Sequence, residues 1–319
     1  MILRSRNLSR KSRLLVLPPQ HLGHELHVSR SIVCDMLSRG FIEPGLGDSV
    51  VTGLPDRKFF YQALFGTERV FDFSELPGIA SPIRPPKVFS EYLNIGSEFF
   101  TNTSQFNNFD IINLTEYAFP PTYCTYIANS EMKAIGYEVP DRYYDKKFKE
   151  ISQKFEFSAE HEVFEIAPAS VDMFVIIHHR YGSPIDHLLK LISKFPPDLP
   201  KFIFTGNPAN ISADLHAVGN IVVIDSLQVY ATLLHDPRCK LLISEWSGGG
   251  QIAQYTLGPQ GMIWYYYHHY PDLYNFTMTH QIWELNATLG TYFNCWDFKR
   301  TSGCHIRHFP DFNSILSAG

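Results

Sequence analysis

The chain has 319 residues, enough for two ordinary domains, and its 45% hydrophobic and 18% charged content is that of a globular protein. A formal net charge of -5 carries no global basic field of the kind that marks a nucleic-acid binder, and no apolar run is long enough to span a bilayer. The five cysteines, Cys34, Cys124, Cys239, Cys295 and Cys304, are scattered and form no Cys-x-x-Cys pair, which argues against a disulfide framework and a zinc site.

Met1 to Arg13 is rich in Arg, Lys and Ser and has no acidic residue, so residues 1–25 read as a flexible tail, with an organelle transit peptide or a contact to an anionic surface as the weaker alternatives. The tail lacks the apolar core of a secretory signal. With the cysteine usage this points to a reducing, cytoplasmic location, and the Asn-x-Ser/Thr triplets at Asn7, Asn102, Asn113, Asn210, Asn275 and Asn286 are then chance matches. Cys34 and Cys124 stand in apolar surroundings and are expected to be buried. Ser31 to Leu37 reads as a first core strand. A loop follows, then a helix from about Ser49 to Phe65, capped by Asp48 or Ser49 and kinked or delayed by Pro55. Arg69 to Phe73 is a second strand. Ser74 to Asn108, with Pro77, Pro82, Pro85 and Pro86 and several aromatic rings, is long and irregular, which suits a functional surface better than a linker. Phe109 to Leu114 reads as a strand and Tyr126 to Ile135 as a helix. The polar stretch Ser158 to Ser170 divides an N-terminal domain, 1–160, from a C-terminal domain, 161–319, whose closing helix is free to pack back on the first.

Beyond that boundary the rhythm becomes regular. Strands at Val171 to His178, Lys201 to Phe204, Ile221 to Ile224, Lys240 to Ile243 and Met262 to Tyr267 alternate with helices at Pro184 to Phe195, Leu227 to His235 and Gly250 to Leu257. That alternation predicts an α/β fold with a parallel, doubly wound sheet. Ligands of such sheets sit beyond the carboxyl ends of the strands. His178, His179, Arg180, Thr205, Gly206, Asp225, Ser226, Leu227 and the turn Ser247 to Gln251 collect there along one edge.

Three stretches carry candidate chemistry. In Ser247-Gly248-Gly249-Gly250-Gln251 an apolar strand turns through glycines into a helix, so backbone N–H groups and the positive end of the helix dipole point at one spot, where a phosphate is the usual occupant. Close packing is the other reason for such glycines. His178-His179-Arg180 ends a strand; the Arg180 fork suits a diphosphate and His178 can add a donor, against a surface salt bridge and a packed histidine. Gly45-Leu46-Gly47-Asp48 precedes the first expected helix, and Asp48 there is either a general base or an ordinary helix cap. In Ile263-Trp-Tyr-Tyr-Tyr-His-His-Tyr270 the first rings belong to a core strand, while Tyr267, His268 and His269 lie past its end, within reach of a ligand. No third ligand lies near His268 and His269, so they are weak metal candidates. No Asp-x-Asp occurs, so a metal-dependent sugar transfer lacks its usual carboxylates and no metal cofactor is expected.

Gly45-Leu-Gly-Asp-Ser-Val-Val-Thr-Gly-Leu-Pro55 resembles the start of glycosyltransferases of the heptosyltransferase type, which have the two-domain GT-B fold. Val223 to Ala253 resembles that family's nucleotide-sugar half, and His178-His-Arg180 is similar to the His-x-Arg that fucosyltransferases of related fold set on the donor diphosphate. Trp246-Ser247-Gly248 replaces the family's Asp-Thr-Gly, and Gln251 stands where a histidine is common, which argues against a heptose donor. The resemblance implies two Rossmann-like domains facing across a cleft, the first for a glycan acceptor and the second for a nucleotide sugar. It implies an inverting, metal-independent transfer with Asp48 as base. The alternatives are a nucleotide-sugar epimerase or hydrolase of the same fold, and a non-catalytic nucleotide- or glycan-binding module.

Overall fold

A computed structural model of the chain describes residues 10–17, 22–76, 104–114, 167, 170–180, 182–205, 215, 220–256, 260–269 and 305–318. The chain divides into two compact units: Met1–His21 with Val28–Ser158, and Leu22–His27 with Ala159–Gly319. The expected helix at Tyr126 to Ile135, most of the irregular Ser74 to Asn108 segment and most of the boundary stretch lie outside the described residues, as does Cys124.

The first unit is built on a four-stranded sheet, β1 (Ser12–Val16), β2 (Ser49–Thr52), β3 (Val70–Asp72) and β4 (Phe109–Asn113), in the order β3-β2-β1-β4 with every pair parallel. Strand β1 corrects the expectation of a flexible tail. Leu14, Leu15 and Val16 are fully buried between two neighbours, because a central parallel strand is covered on both faces. Four apolar residues, Leu14 to Leu17, behind a basic run were too short a signal to show this. Ser31 to Leu37, expected as a strand, lies in helix α1 (Arg30–Ser38), where Ile32, Val33 and Met36 are buried. A short apolar run fits a buried helix as well as a buried strand, and periodicity alone does not separate the two. The expected helix from Ser49 is instead β2, whose Val50 and Val51 suit a strand; Pro55 opens a 3-10 turn, and helix α2 begins only at Phe59 (Phe59–Phe65).

The second unit is a six-stranded sheet of β5 (Phe174–His179), β6 (Lys201–Thr205), β7 (Ile221–Ile224), β8 (Cys239–Glu245), β9 (Met262–Tyr266) and β10 (His305–Phe309), again wholly parallel. The order is β10-β9-β8-β5-β6-β7. Numbered from the unit's first strand, that is 3-2-1-4-5-6, the order of a Rossmann-like doubly wound sheet. Helices α3 (Ile185–Ile192) and α7 (Phe312–Leu316) cover one face: Leu188, Leu191, Ile192, Phe312 and Ile315 pack with Ile177, Ile203, Ile243 and Tyr266. Helix α4 (Leu227–His235) packs on β7 and β8 and against α6 (Ala253–Thr256), which follows the short α5 (Gly248–Gln251). Helix α7, considered above as able to cross to the first domain, buries Phe312 and Ile315 in this unit's own core. Its start is fixed by Asp311, which accepts the Ser314 N–H at 2.8 Å. Strand β10 was not foreseen. Cys34 and Cys239 are buried and free, and burial pushes the Cys34 thiol up to about 11. Among the described residues no helix is long and apolar enough to cross a membrane.

Candidate functional site

In the second unit the strand order reverses between β5 and β8. A crevice opens at such a point because the connections from the two strands leave toward opposite sides. Both strands carry a candidate motif at this end, His178-His179-Arg180 on β5 and Ser244 to Gln251 on β8, and the ladder aligns His178 with Ser244. The two stretches picked out in the sequence, sixty-odd residues apart, are therefore neighbours.

His178 is buried, and its Nδ1 lies 2.8 Å from Ser244 Oγ. Ser244 donates its one hydroxyl proton to the Glu245 carbonyl at 2.7 Å, so the bond to His178 runs from Nδ1–H and Nε2 carries the lone pair. Burial pushes the imidazole down to about 3, so the ring is uncharged near neutrality. It stacks on Phe204, which stacks in turn on Tyr230. This setting suits the packed-histidine alternative to an added diphosphate donor. The ring is a packing element whose one N–H is already committed.

The glycines of the turn answer to packing as well. A Cβ on Gly249 would stand 2.5 Å from Cε1 and Nε2 of His178; one on Gly250 would strike the Ser244 side chain, and one on Gly248 the backbone of Gly23. Tyr230 donates to the Gly249 carbonyl at 3.0 Å and Tyr265 to that of Gly250 at 2.8 Å. The turn is thus held from below by two buried phenols. Its first intrahelical bond is Gln251 N–H to Ser247 O, so the amides of Gly248, Gly249 and Gly250 come before the ladder begins and have no helical acceptor. Gln251 itself is buried and Ser247 half-buried, its Oγ 3.4 Å from His178 Nδ1.

Glu245, at the end of β8, is the hub of the edge. It is 1% exposed. Oε1 accepts from Arg180 Nη1 at 3.3 Å, from the His269 N–H at 3.0 Å and from His269 Nδ1; Oε2 accepts from Ser183 Oγ. Burial alone would raise the carboxyl, but the bonds from Ser183 and His269 outweigh it and hold it below the usual carboxylate range. The Arg180 side chain remains 25% exposed and that of His269 32%. One buried carboxylate thus fixes the Arg180 and His269 side chains at the carboxyl edge of the sheet.

The remaining candidates of this unit spread along the same edge. Thr205 is buried at the end of β6, and Gly206 lies outside the described residues. Asp225 is exposed after β7, and Ser226 is the cap of α4, its Oγ accepting the Val229 N–H at 3.3 Å, with Leu227 buried as the first helical residue. These three are at the edge strand, two strands from the crevice. Tyr267, expected within reach of a ligand, is 1% exposed, stacks on Trp246, and has its hydroxyl 2.8 Å from His308 Nδ1. His268 is exposed, edge-on to His187. Among the described residues no group of three or more His, Cys, Asp or Glu is placed to hold a metal ion.

In the first unit Asp48 is 0% exposed. Arg10 donates to both its oxygens, at 3.2 and 2.7 Å, and the backbone N–H groups of Arg13 and Glu43 donate at 2.7 Å each. It precedes a strand rather than a helix, so it is neither the expected cap nor a base presented to solvent. The four donors make it a structural carboxylate that ties β1 to the turn before β2. Gly47 takes φ +96°, and a Cβ there would stand 2.5 Å from Ser12 Oγ; Gly45 lies in the 3-10 turn Pro44–Leu46 with nothing within 4 Å. No acceptor site around these glycines is visible in the contacts of the described residues.

Sequence reading missed Ser183, Ser244, Glu245, Tyr230, Tyr265 and His308. One signal existed for Glu245: a carboxylate inside an apolar strand motif has to find partners, and the nearest cations at strand ends were Arg180 and the His268-His269 pair. No protein-family model matches the chain, and no curated protein sequence matches it.

Proposed function

We propose that the chain is an inverting glycosyltransferase that moves a sugar from a nucleotide-diphosphate donor to a glycan hydroxyl, without a bound metal, and that its two units are the halves of a GT-B enzyme. The observation that carries the reading is the junction of β5 and β8. A reversal of strand order, an arginine and a glycine-opened turn meet at the carboxyl edge of a parallel sheet, the usual address of a dinucleotide or nucleotide sugar. In this mechanism the diphosphate lies against Arg180 and the amides of Gly248, Gly249 and Gly250. Negative charge grows on the diphosphate as the sugar leaves, and a fixed guanidinium and fixed N–H dipoles stabilise it without reorganising. Thr205 and Asp225 to Leu227 extend the same edge toward the nucleoside.

The test is a thermal-shift screen in EDTA with UDP, GDP and ADP and their sugars, repeated with Arg180→Ala. A ligand that binds only the folded state raises the midpoint with its excess over Kd. A shift confined to one nucleotide series, lost in the variant, supports the reading; no shift in any series, with or without Mg²⁺ or Mn²⁺, removes it. A second reading is a binding module of the same fold, favoured by the burial of Asp48, the carboxylate expected to act as base. A nucleotide sugar that binds and is neither hydrolysed nor transferred would select it.

A further inference from the structure

With Asp48 occupied by four donors, the transfer needs another group to take the acceptor's proton, and the crevice holds one. Glu245 and His269 have the parts of a carboxylate–imidazole pair. The buried carboxylate takes the His269 backbone N–H and Nδ1 on the same oxygen, so both the ring's position and its tautomer are set from one point. Ser183 and Arg180 complete the carboxylate's shell, and the bonds from Ser183 and His269 hold it ionised. Nδ1–H toward Glu245 leaves Nε2 with the lone pair, on a side chain that keeps 32% of its surface open and has Gly182 alongside at 3.6 Å from the position of a Cβ. A packed structural histidine looks different: His178, in the same unit, is buried, sandwiched and spent on Ser244. His269 sits past the end of β9, one strand from the switch point, and shares its carboxylate oxygen with Arg180, the group assigned above to the diphosphate. Among the described residues its ring also meets that of His268, with centroids 5.1 Å apart, and His268 in turn meets His187.

We propose that His269, oriented by Glu245, is the proton acceptor of this site. The dyad stands on geometry alone; its role in transfer rests on the glycosyltransferase reading. In that step the acceptor O–H bond breaks, its proton goes to Nε2, and its electron pair forms the new C–O bond at the anomeric carbon. The bond from that carbon to the diphosphate oxygen breaks, leaving its pair on the diphosphate beside Arg180. Glu245 keeps its charge throughout and faces the imidazolium that forms.

Two measurements test it. The first is made on the full chain without ligand: side-chain 15N spectra of histidine-labelled protein at alkaline pH, His269 being assigned by its loss in His269→Ala. The dyad requires the Nδ1–H tautomer, and a change of that signal in Glu245→Gln. The opposite tautomer overturns it, as does a signal unaltered in Glu245→Gln; if that variant does not fold, the tautomer of the unaltered protein decides. The second is release of nucleoside diphosphate from UDP-, GDP- and ADP-sugars with water as acceptor. His269→Ala should still bind the nucleotide and release it on the order of 100-fold more slowly, with added imidazole restoring the rate. An undiminished rate overturns the proton-acceptor role. Failure to bind any nucleotide overturns the transferase reading and the role with it, while the tautomer still judges the dyad.

Discussion

The imidazole of His178 fills the place where a side chain on Gly249 would begin: a Cβ there would stand 2.5 Å from its Cε1 and Nε2. The ring has no room to retreat, being stacked on Phe204 and, behind it, Tyr230. Gly249→Ala must therefore move the turn or the ring. The expected cost is about 1–3 kcal/mol, the range for an overpacked core, with a loss of nucleotide-induced stabilisation because the turn shifts. Gly45→Ala, with nothing within 4 Å, should stay within about 0.5 kcal/mol of the unaltered chain. Urea unfolding of the two variants side by side checks both statements.

Asp48 predicts a stability phenotype. Removing it strands Arg10 and two backbone N–H groups around a fully buried site. Asp48→Ala should lower unfolding free energy by roughly 3 kcal/mol, the loss expected when one partner of a buried pair is deleted. A variant that melts normally but has lost turnover would instead restore Asp48 as a catalytic base.

Arg180 offers the complementary case. Its guanidinium is partly exposed, and its removal leaves Glu245 with the bonds from Ser183 and His269. The fold should survive Arg180→Ala, whereas affinity for a nucleoside diphosphate should fall roughly 10- to 100-fold, the worth of a charge-assisted contact. Calorimetric titration with the nucleotide found in the thermal-shift screen measures it. An unchanged affinity would remove Arg180 from the diphosphate site.

The pH dependence follows from two histidines of the second unit, His178 buried and His308 half-buried. Burial pushes His178 down to about 3 and His308 to about 4, against an ordinary value of 6.5 in the unfolded chain. Because the unfolded state binds these protons first, stability is complete above about pH 6.5 and declines as pH falls toward the folded values. Each group contributes roughly 1.4 kcal/mol per pH unit in that window. The urea midpoint should therefore drop between pH 7 and pH 5, and His308→Phe, if it packs in place, should make the drop shallower.

The periodic part of the fold was legible residue by residue. In the second half, mostly apolar strands of four to seven residues alternate with amphipathic helices such as Ile185–Ile192, and local pattern suffices because each element declares its own period. The turn Ser247 to Gln251 and the triplet at His178 could be named in advance for the same reason, being short motifs at strand ends. The first half was harder. Leu14 to Leu17 is four residues long, and Ile32, Val33 and Met36 suit either period, so burial in a neighbour's presence decided what propensity left open.

Composition and local pattern thus determined an α/β chain with a parallel sheet and an edge where His178, Arg180 and the glycine turn must lie. Only the tertiary structure decided what each of them does. Strand order brought β5 beside β8, which set His178 against Ser244 and Gly249 and made it a packing residue. The same order carried Arg180 and Ser183 from one stretch and His269 from another onto the single carboxylate of Glu245. A hydrogen-bond partner distant in sequence leaves no periodic trace, so whether Asp48 is a base or a tether, and whether His269 is exposed or buried, is fixed by the close packing of segments that the chain's order keeps apart.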